Sequence, residues 1–527
     1  MVVCSGVAIR LCRDKAWKIT IHLRQGYGGQ AENAPFSDRN KVIQTFLKTF
    51  EIASQQQGKF KMMKAGFYET DITPPIGTER PATFNKLVVQ TIHDPLKCRA
   101  AVFSDGTQKV ALVGLDTIGC GPVFRRKVEE ALPEFKVILN CSHTHYGGNL
   151  RDELPGIDDA PEEIKQYALV DRVAFDSVYY NFCLKQVITS VLMANSRLEE
   201  VEFSFGKGRV ENLIFNRRIR MKDGHVQTHP GKGNPDNVDF AGPVDDQVGV
   251  VGIWKKGTSE LLGFLLNFSC HACIRLDGAT ADFCGVAINT IRKVYGAHIG
   301  AVYVNGASGD VTQINNMSLK RDSGGAIADK LGTVLGAEAI KLLANADRGE
   351  IQTLRYMSRE ITPVRQTRDL TLIEEAKNDA RRTDGAACIL IAKSIVVQAY
   401  VDQVTGGKTA NEKLAVLQLG PLAICSSSGE LFAQFALDLK KASHFPHTWY
   451  AQLNGGPLGY VPTKDCFEKT GGGYETATSL FVAETGYTIL DNLEEMVKTL
   501  TPEEEPAPDL VEVQNQVWDF NFEKKKK

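Results

Sequence analysis

From Met62 onward, apolar residues fall into two rhythms that alternate along the chain. Short runs rich in β-branched and aromatic side chains read as buried strands: KCRAAVFSD (97–105), KVALVGLDT (109–117), FKVILNCSH (135–143), VGVVGIWKK (248–256), LLGFLLNFSC (261–270) and IGAVYVNGA (299–307). Stretches of helical period lie between them at 121–132, 162–195, 284–295 and 324–345. Short strands mixed with helices predict an α/β protein, with mixed β-sheets covered by α-helices in a single large domain. In AVFSDGTQKVAL, Asp105-Gly106 sits between two strand runs, a hairpin signal, so some strand pairs are antiparallel. No segment repeats another in residue sequence.

Before Met62 the rhythm is missing. Residues 1–61 show no sustained period, and RQGYGGQAENAPFSD (24–38) is rich in glycine and polar residues. A poorly ordered extension is expected over 1–61 and the folded domain over 62–500. The last part, 501–527, acidic and Pro-rich and then basic, is expected to be a disordered tail.

The balance of 61 Lys plus Arg against 63 Asp plus Glu, with 43% hydrophobic residues, excludes a strongly charged nucleic-acid or membrane-surface binder. Apolar runs such as CILIAKSIVV (388–397) are broken by lysine and fall short of the roughly 20 residues that span a bilayer. The start, MVVCSGVAIRLCRDK, has no convincing signal peptide, so a cytoplasmic location is expected. The 12 cysteines are scattered through apolar segments, as reduced thiols are. The one C-x-x-C, Cys270-His271-Ala272-Cys273, has no second pair and reads as structural.

Chemistry collects where strand runs end. In NCSHTHYGGN (140–149), His143 and His145 project from one strand face, roughly 6–7 Å apart at a rise of about 3.3 Å per residue. That spacing suits a zinc site, and suits equally a packed histidine followed by a loop histidine. LLNFSCHACIR ends on His271, which could bring a third imidazole. In VYVNGASGDVTQINN, Gly306 and Gly309 permit close backbone approach, and Thr312 is either a nucleophile needing a base or a turn cap. Glu430, in AICSSSGELFAQFALDLKKA, opens a helix as a ligand or as a cap, and Tyr460 follows a Gly-rich turn in LNGGPLGYVPTKDCFEKTGGGYE. Taken together, these junctions suggest a His, His, Glu metal site at converging strand ends.

In this order the segments resemble the neutral/alkaline non-lysosomal ceramidases, most closely the short bacterial proteins that carry the catalytic domain only. The resemblance spans about 63–500 and rests on AGFYETDITPPIG, IHDPLKCRAAVFSDGTQKVALVGLDTIG, CSHTHYGG, NRR (216–218), GPVDDQVGVVGIW, FSCHACIRL, GASGDVTQ, SGELFAQFALDLK and GYVPTKDCFEKTGGGYE. It implies one zinc ion bound by His143, His271, Glu430 and Tyr460, with His145 and Arg217 as the catalytic pair beside it. Thr312 stands where ceramidases proper carry a serine. The activity implied is hydrolysis of the C–N amide bond of an N-acylsphingosine, in sphingolipid metabolism, by water that zinc activates by lowering its pKa from 15.7 toward about 7. Two alternatives stay open: a hydrolase of a small soluble ester, lactone or acylated sugar, and a metal-binding homologue without turnover. The partner expected is a small-molecule or lipid amide substrate, and the sequence is silent on oligomeric state.

Overall fold

This computed structural model describes residues 2–4, 7–14, 16–23, 62–80, 87–171, 175–275, 278–367, 370–382, 387–407 and 410–507. The chain divides into two compact units, 1–60 and 61–527. In the first, Val2–Cys4, Val7–Asp14 and Ala16–Leu23 form a three-stranded antiparallel sheet. The loop expected at 24–38 lies outside the described residues, as does the expected tail from 508 on.

The second unit is built three times over from one plan. Its first set of strands is β1 (Lys64–Asp71), β2 (Lys97–Ser104) and β3 (Lys109–Leu115), followed by helix α1 (Pro122–Ala131), β4 (Phe135–Cys141) and helix α2 (Ser177–Ser196). β1 pairs antiparallel with β2, β2 antiparallel with β3, and β3 parallel with β4, the helix making the crossover that parallel pairing needs. The same order follows in β5 (Glu199–Arg209), β6 (Gln247–Lys255), β7 (Leu261–Phe268), α3 (Asp282–Tyr295), β8 (Gly300–Asn305) and α4 (Gly325–Asn345). It returns in β9 (Leu354–Ile361), β10 (Glu412–Leu419), β11 (Leu422–Ser426), α5 (Ala433–Ala442), β12 (His447–Ala451) and α6 (Thr485–Lys498). The first two sets join through β1 and β5 into an eight-stranded sheet, and the third is a four-stranded sheet.

Every strand run expected from the sequence is present with ends shifted by a few residues, because these strands are apolar on both faces and leave little ambiguity. The Asp105-Gly106 hairpin forms as expected: the Asp105 carboxylate accepts from Thr107 N and Gln108 N, and Gly106 takes φ 82°. The helical block expected at 162–195 is two helices, Glu162–Asp171 and α2. Asp176 starts the second by accepting from Val178 N and Tyr179 N, the position of an N-cap.

The two sheets bury between them a layer that includes Phe103, Leu112, Ile138, Val251, Leu265, Val302, Leu417, Ile424 and Trp449. Helices cover the outer faces, α1 and α2 over the first set, α3 and α4 over the second, α5 and α6 over the third. The mixed-sheet α/β architecture read from the sequence is therefore the one found. Helices Leu370–Ala380 and Ala387–Thr405 pack with Glu162–Asp171 in a separate apolar cluster. Among the described residues no helix is long and apolar enough to cross a membrane.

In each set the fourth strand, β4, β8 or β12, is a sheet edge, whose unpaired backbone groups need partners if buried. Here the three edges meet and buried amide side chains join them. Asn140 Nδ2 donates to the carbonyls of Gln452 (2.7 Å) and Asn305 (3.2 Å), while Asn140 Oδ1 accepts from Asn305 N (2.8 Å). Gln452 exchanges two bonds with Ser308, and Asn454 Oδ1 accepts from Leu139 N. This junction brings the carboxyl ends of the three parallel strand pairs to one place, where open α/β sheets commonly hold their sites.

Candidate metal centre

His143 leaves the end of β4 with φ 65°, a left-handed conformation that costs a non-glycine residue about 1 kcal/mol or more. Its amide is held by Thr117 O (3.0 Å), and its ring nitrogen Nδ1 lies 2.7 Å from Ile118 O. A carbonyl only accepts, so Nδ1 carries a proton and Nε2 is aimed inward. His271, beyond β7, repeats the device: Nδ1 is 2.7 Å from Ser308 O and Nε2 points to the same place. His145 is anchored through its amide to Ala272 O, with its ring 4.9 Å from the His143 ring and 5.6 Å from the His271 ring. One ring nitrogen from each of the three histidines lies within 4.8 Å of the others.

The third set of strands supplies oxygen. Glu430 and Tyr460 are direct partners in a short parallel pair, and Glu430 N donates to Gly459 O. Glu430 Oε2 lies 3.2 Å from His143 Nε2 and 3.6 Å from His271 Nε2, and the Tyr460 hydroxyl is 3.5 Å from His271 Nε2. Gly309 is required beneath them, because a Cβ there would sit 2.3 Å from the carbonyl oxygen of Glu430.

Burial drives the His271 pKa well below its usual range, and Arg217, His143 and His145 push it the same way, so the ring is neutral. Burial alone would raise the Glu430 pKa. His143, Arg151 and Arg217 more than reverse this and hold it at about 2, so the carboxylate is ionised. The Tyr460 phenol is pushed well up by burial, with Arg217 opposing and Glu430 reinforcing.

An ionised Glu430 Oε2 thus faces His143 Nε2. The two atoms are close enough for an ion pair, yet both are buried without a hydrogen-bond partner. A proton on His143 Nε2 would serve only that pair and leave His271 Nε2, 3.6 Å from the same oxygen, without one, whereas a cation among the three atoms would serve them all. A divalent metal would satisfy these facing atoms together, and the three histidines whose ring nitrogens lie within 4.8 Å of one another could help to hold it.

Arg217 stands beside this cluster. Its backbone amide donates to Asp310 O, its Nη2 to Gly309 O (2.7 Å), and its Nη1 lies 3.3 Å from His271 Nε2. The guanidinium covers the Tyr460 ring at 5.2 Å. Six of the seven residues singled out from the sequence therefore gather at one point. The seventh, Thr312, adjoins this point: it is buried in a short pair with Phe215, its neighbour Val311 accepts from His271 N (3.3 Å), and its own hydroxyl accepts from Ile314 N (3.4 Å). Cys270 and Cys273 are free thiols whose pKa values burial raises, the latter to about 12, as structural cysteines should be.

Sequence reading missed the carbonyls of Ile118 and Ser308, which orient the imidazoles, and Glu475, whose carboxylate binds Arg217. The tandem Arg217-Arg218 was a signal for the last. Two arginines buried together require an acid, although nothing in the order of residues says which one.

An α/β protein of two packed mixed sheets with a polar cluster of histidine, glutamate and tyrosine at its strand ends is the class these features define. Among solved structures, neutral ceramidase from Pseudomonas aeruginosa is similar to this chain with a TM-score of 0.60 at 18% identity, over 85% of this chain and 76% of that one. A structure described as a ceramidase complexed with C2 is similar with a TM-score of 0.61 at 17% identity, over 85% of this chain and 77% of the other. No protein-family model matches the chain, and no curated protein matches it in sequence. The protein has the neutral ceramidase fold, as the resemblance of its segments implied.

Proposed function

We propose that the domain spanning 62–500 is a zinc-dependent hydrolase of C–N amide bonds, ceramidase-like, acting on an N-acylated lipid or related amide. The observation that supports the reading is the buried cluster of His143 Nε2, His271 Nε2 and Glu430 Oε2, with the carboxylate oxygen 3.2 Å from the first and 3.6 Å from the second. His143, His271, Glu430 and Tyr460 would hold the metal. When bound, zinc supplies Lewis acidity toward a carbonyl and makes water nucleophilic near neutral pH.

The chain's own residues do the rest. Arg217, always charged and largely buried, points Nη1 into the cluster, where it stabilises negative charge developing on the carbonyl oxygen of the substrate. His145, next to the ligand set rather than in it, delivers a proton to the departing amine. Backbone carbonyls that hold a proton on Nδ1 of His143 and His271 keep both Nε2 atoms turned toward the site.

The test is metal analysis of the purified protein with a hydrolysis screen, run with and without a chelator, that compares fluorogenic N-acylsphingosines with short soluble amides and esters. About one zinc per chain and chelator-sensitive amide cleavage are expected. Cleavage confined to soluble esters would replace the amide reading, and absence of bound metal would remove the ligand assignment.

A further inference from the structure

Glu475 is fully buried in the short helix Tyr474–Thr478, and its carboxylate lies between two guanidiniums. Oε1 accepts from Arg217 Nε (2.6 Å), while Oε2 accepts from Thr228 Oγ1 (2.6 Å) and Arg218 Nη1 (3.1 Å). Arg218 is fastened a second time, by the carbonyls of Gly471 (3.0 Å) and Gly472 (2.8 Å). Arg217 is fastened on two sides. Its Nε is held by Glu475 and its Nη2 by Gly309 O, so the remaining edge, Nη1, is turned toward His271. A guanidinium is planar, so fixing two of its nitrogens fixes the direction of the third.

We infer that Glu475 is the positioning residue for Arg217, aiming its Nη1 at the place where charge develops on the substrate, an inference that rests on the hydrolase reading above. Fully buried and bonded to Arg217, Arg218 and Thr228, Glu475 acts on the site only through Arg217. Charge balance alone would make a weaker demand. An acid anywhere near Arg217 and Arg218 would neutralise one of them, but only a carboxylate oxygen in line with Arg217 Nε, opposite Gly309 O, sets the angle of the guanidinium. Thr228 and Arg218 in turn hold Oε2, so the carboxylate is itself immobilised before it binds Arg217. Burial raises the pKa of Glu475, and Arg217 and Arg218 lower it further than burial lifts it, which keeps the acid charged.

The test uses Glu475→Gln, which keeps shape and removes charge, and Glu475→Asp, which keeps charge and withdraws the oxygens by one methylene. The second serves if the first does not fold. Each variant is made alone and combined with Arg217→Ala. With zinc content unchanged, kcat should fall about 100-fold or more, the effect of losing one oriented oxyanion donor, while KM stays within about 3-fold. In the Arg217→Ala background, either change at 475 should cost nothing further. Crystal structures of the single variants should show Nη1 moved away from His271. Losses that multiply with Arg217→Ala, or a guanidinium still 3.3 Å from His271 Nε2 in both variants, would overturn the assignment. If the wild-type protein cleaves no amide or ester, the hydrolase reading fails. The position of Arg217 in the variant crystals then still decides whether Glu475 holds it.

Discussion

Replacing Glu412 by glutamine should stabilise the protein at pH 8 and change little near pH 5. Glu412 is fully buried at the start of β10, where one carboxyl oxygen accepts from Ser428 N (2.7 Å) and the other is bonded to Ser428 Oγ (2.6 Å). Burial raises its pKa, and Ser428 and Arg125 offset only part of this, leaving it at about 7 against an ordinary 4.5. Between those values the native protein binds a proton that the unfolded chain has released. The stabilisation is therefore complete below about pH 4.5 and is lost as pH rises through about 7. At about 1.36 kcal/mol per pH unit the whole effect is on the order of 3 kcal/mol, of which about 2 to 3 kcal/mol falls between pH 5 and 8.

Glutamine has the shape of the protonated acid, still accepts from Ser428 N, can donate to Ser428 Oγ, and never ionises. The variant should therefore lack this part of the pH slope. For a unit of roughly 470 residues, with an unfolding entropy of about 1 kcal/mol per kelvin, the gap corresponds to about 3 °C in Tm. Heat or urea melts of both proteins at pH 5, 6, 7 and 8 measure it directly. Parallel curves for wild type and variant would show that Glu412 does not carry a raised pKa. Ser428 lies in the turn that leads to Glu430, so the variant should also keep its metal at pH 8.

Three further outcomes follow from the centre itself. His271→Ala should lose bound zinc, whereas His145→Ala should keep it and lose about 100-fold or more in turnover; metal retained at full occupancy after His271→Ala, or unchanged turnover after His145→Ala, would reassign those residues. Gly309→Ala drives a Cβ to 2.3 Å from Glu430 O, so it should cost about 1–3 kcal/mol in a denaturant melt and weaken metal binding as Glu430 shifts. A variant with wild-type stability and metal affinity would mean that the turn yields freely.

Much of the fold is legible in the residues because burial on both faces makes its strands almost continuously apolar. The helices at 370–380 and 387–405 were not, since Ala387–Thr405 is apolar nearly all round and offers no helical stripe to recognise. The threefold plan was hidden for a different reason. It lies in the order and direction of strand pairing, which many unrelated residue sequences satisfy, and no residue repeat accompanies it.

The same division runs through the site. By itself the sequence marked the candidate residues: imidazoles and a carboxylate each just past an apolar run, with the phenol added by the family resemblance, because a polar residue at a strand end leaves a local trace. Only the tertiary structure decided that they face one another. His143, His271, Glu430 and Tyr460 come from all three strand sets, and three sheet edges joined through Asn140, Asn305 and Gln452 bring those sets together. The orienting groups are backbone carbonyls and a glutamate bound to arginine, and these gain a role only from what the completed fold places beside them.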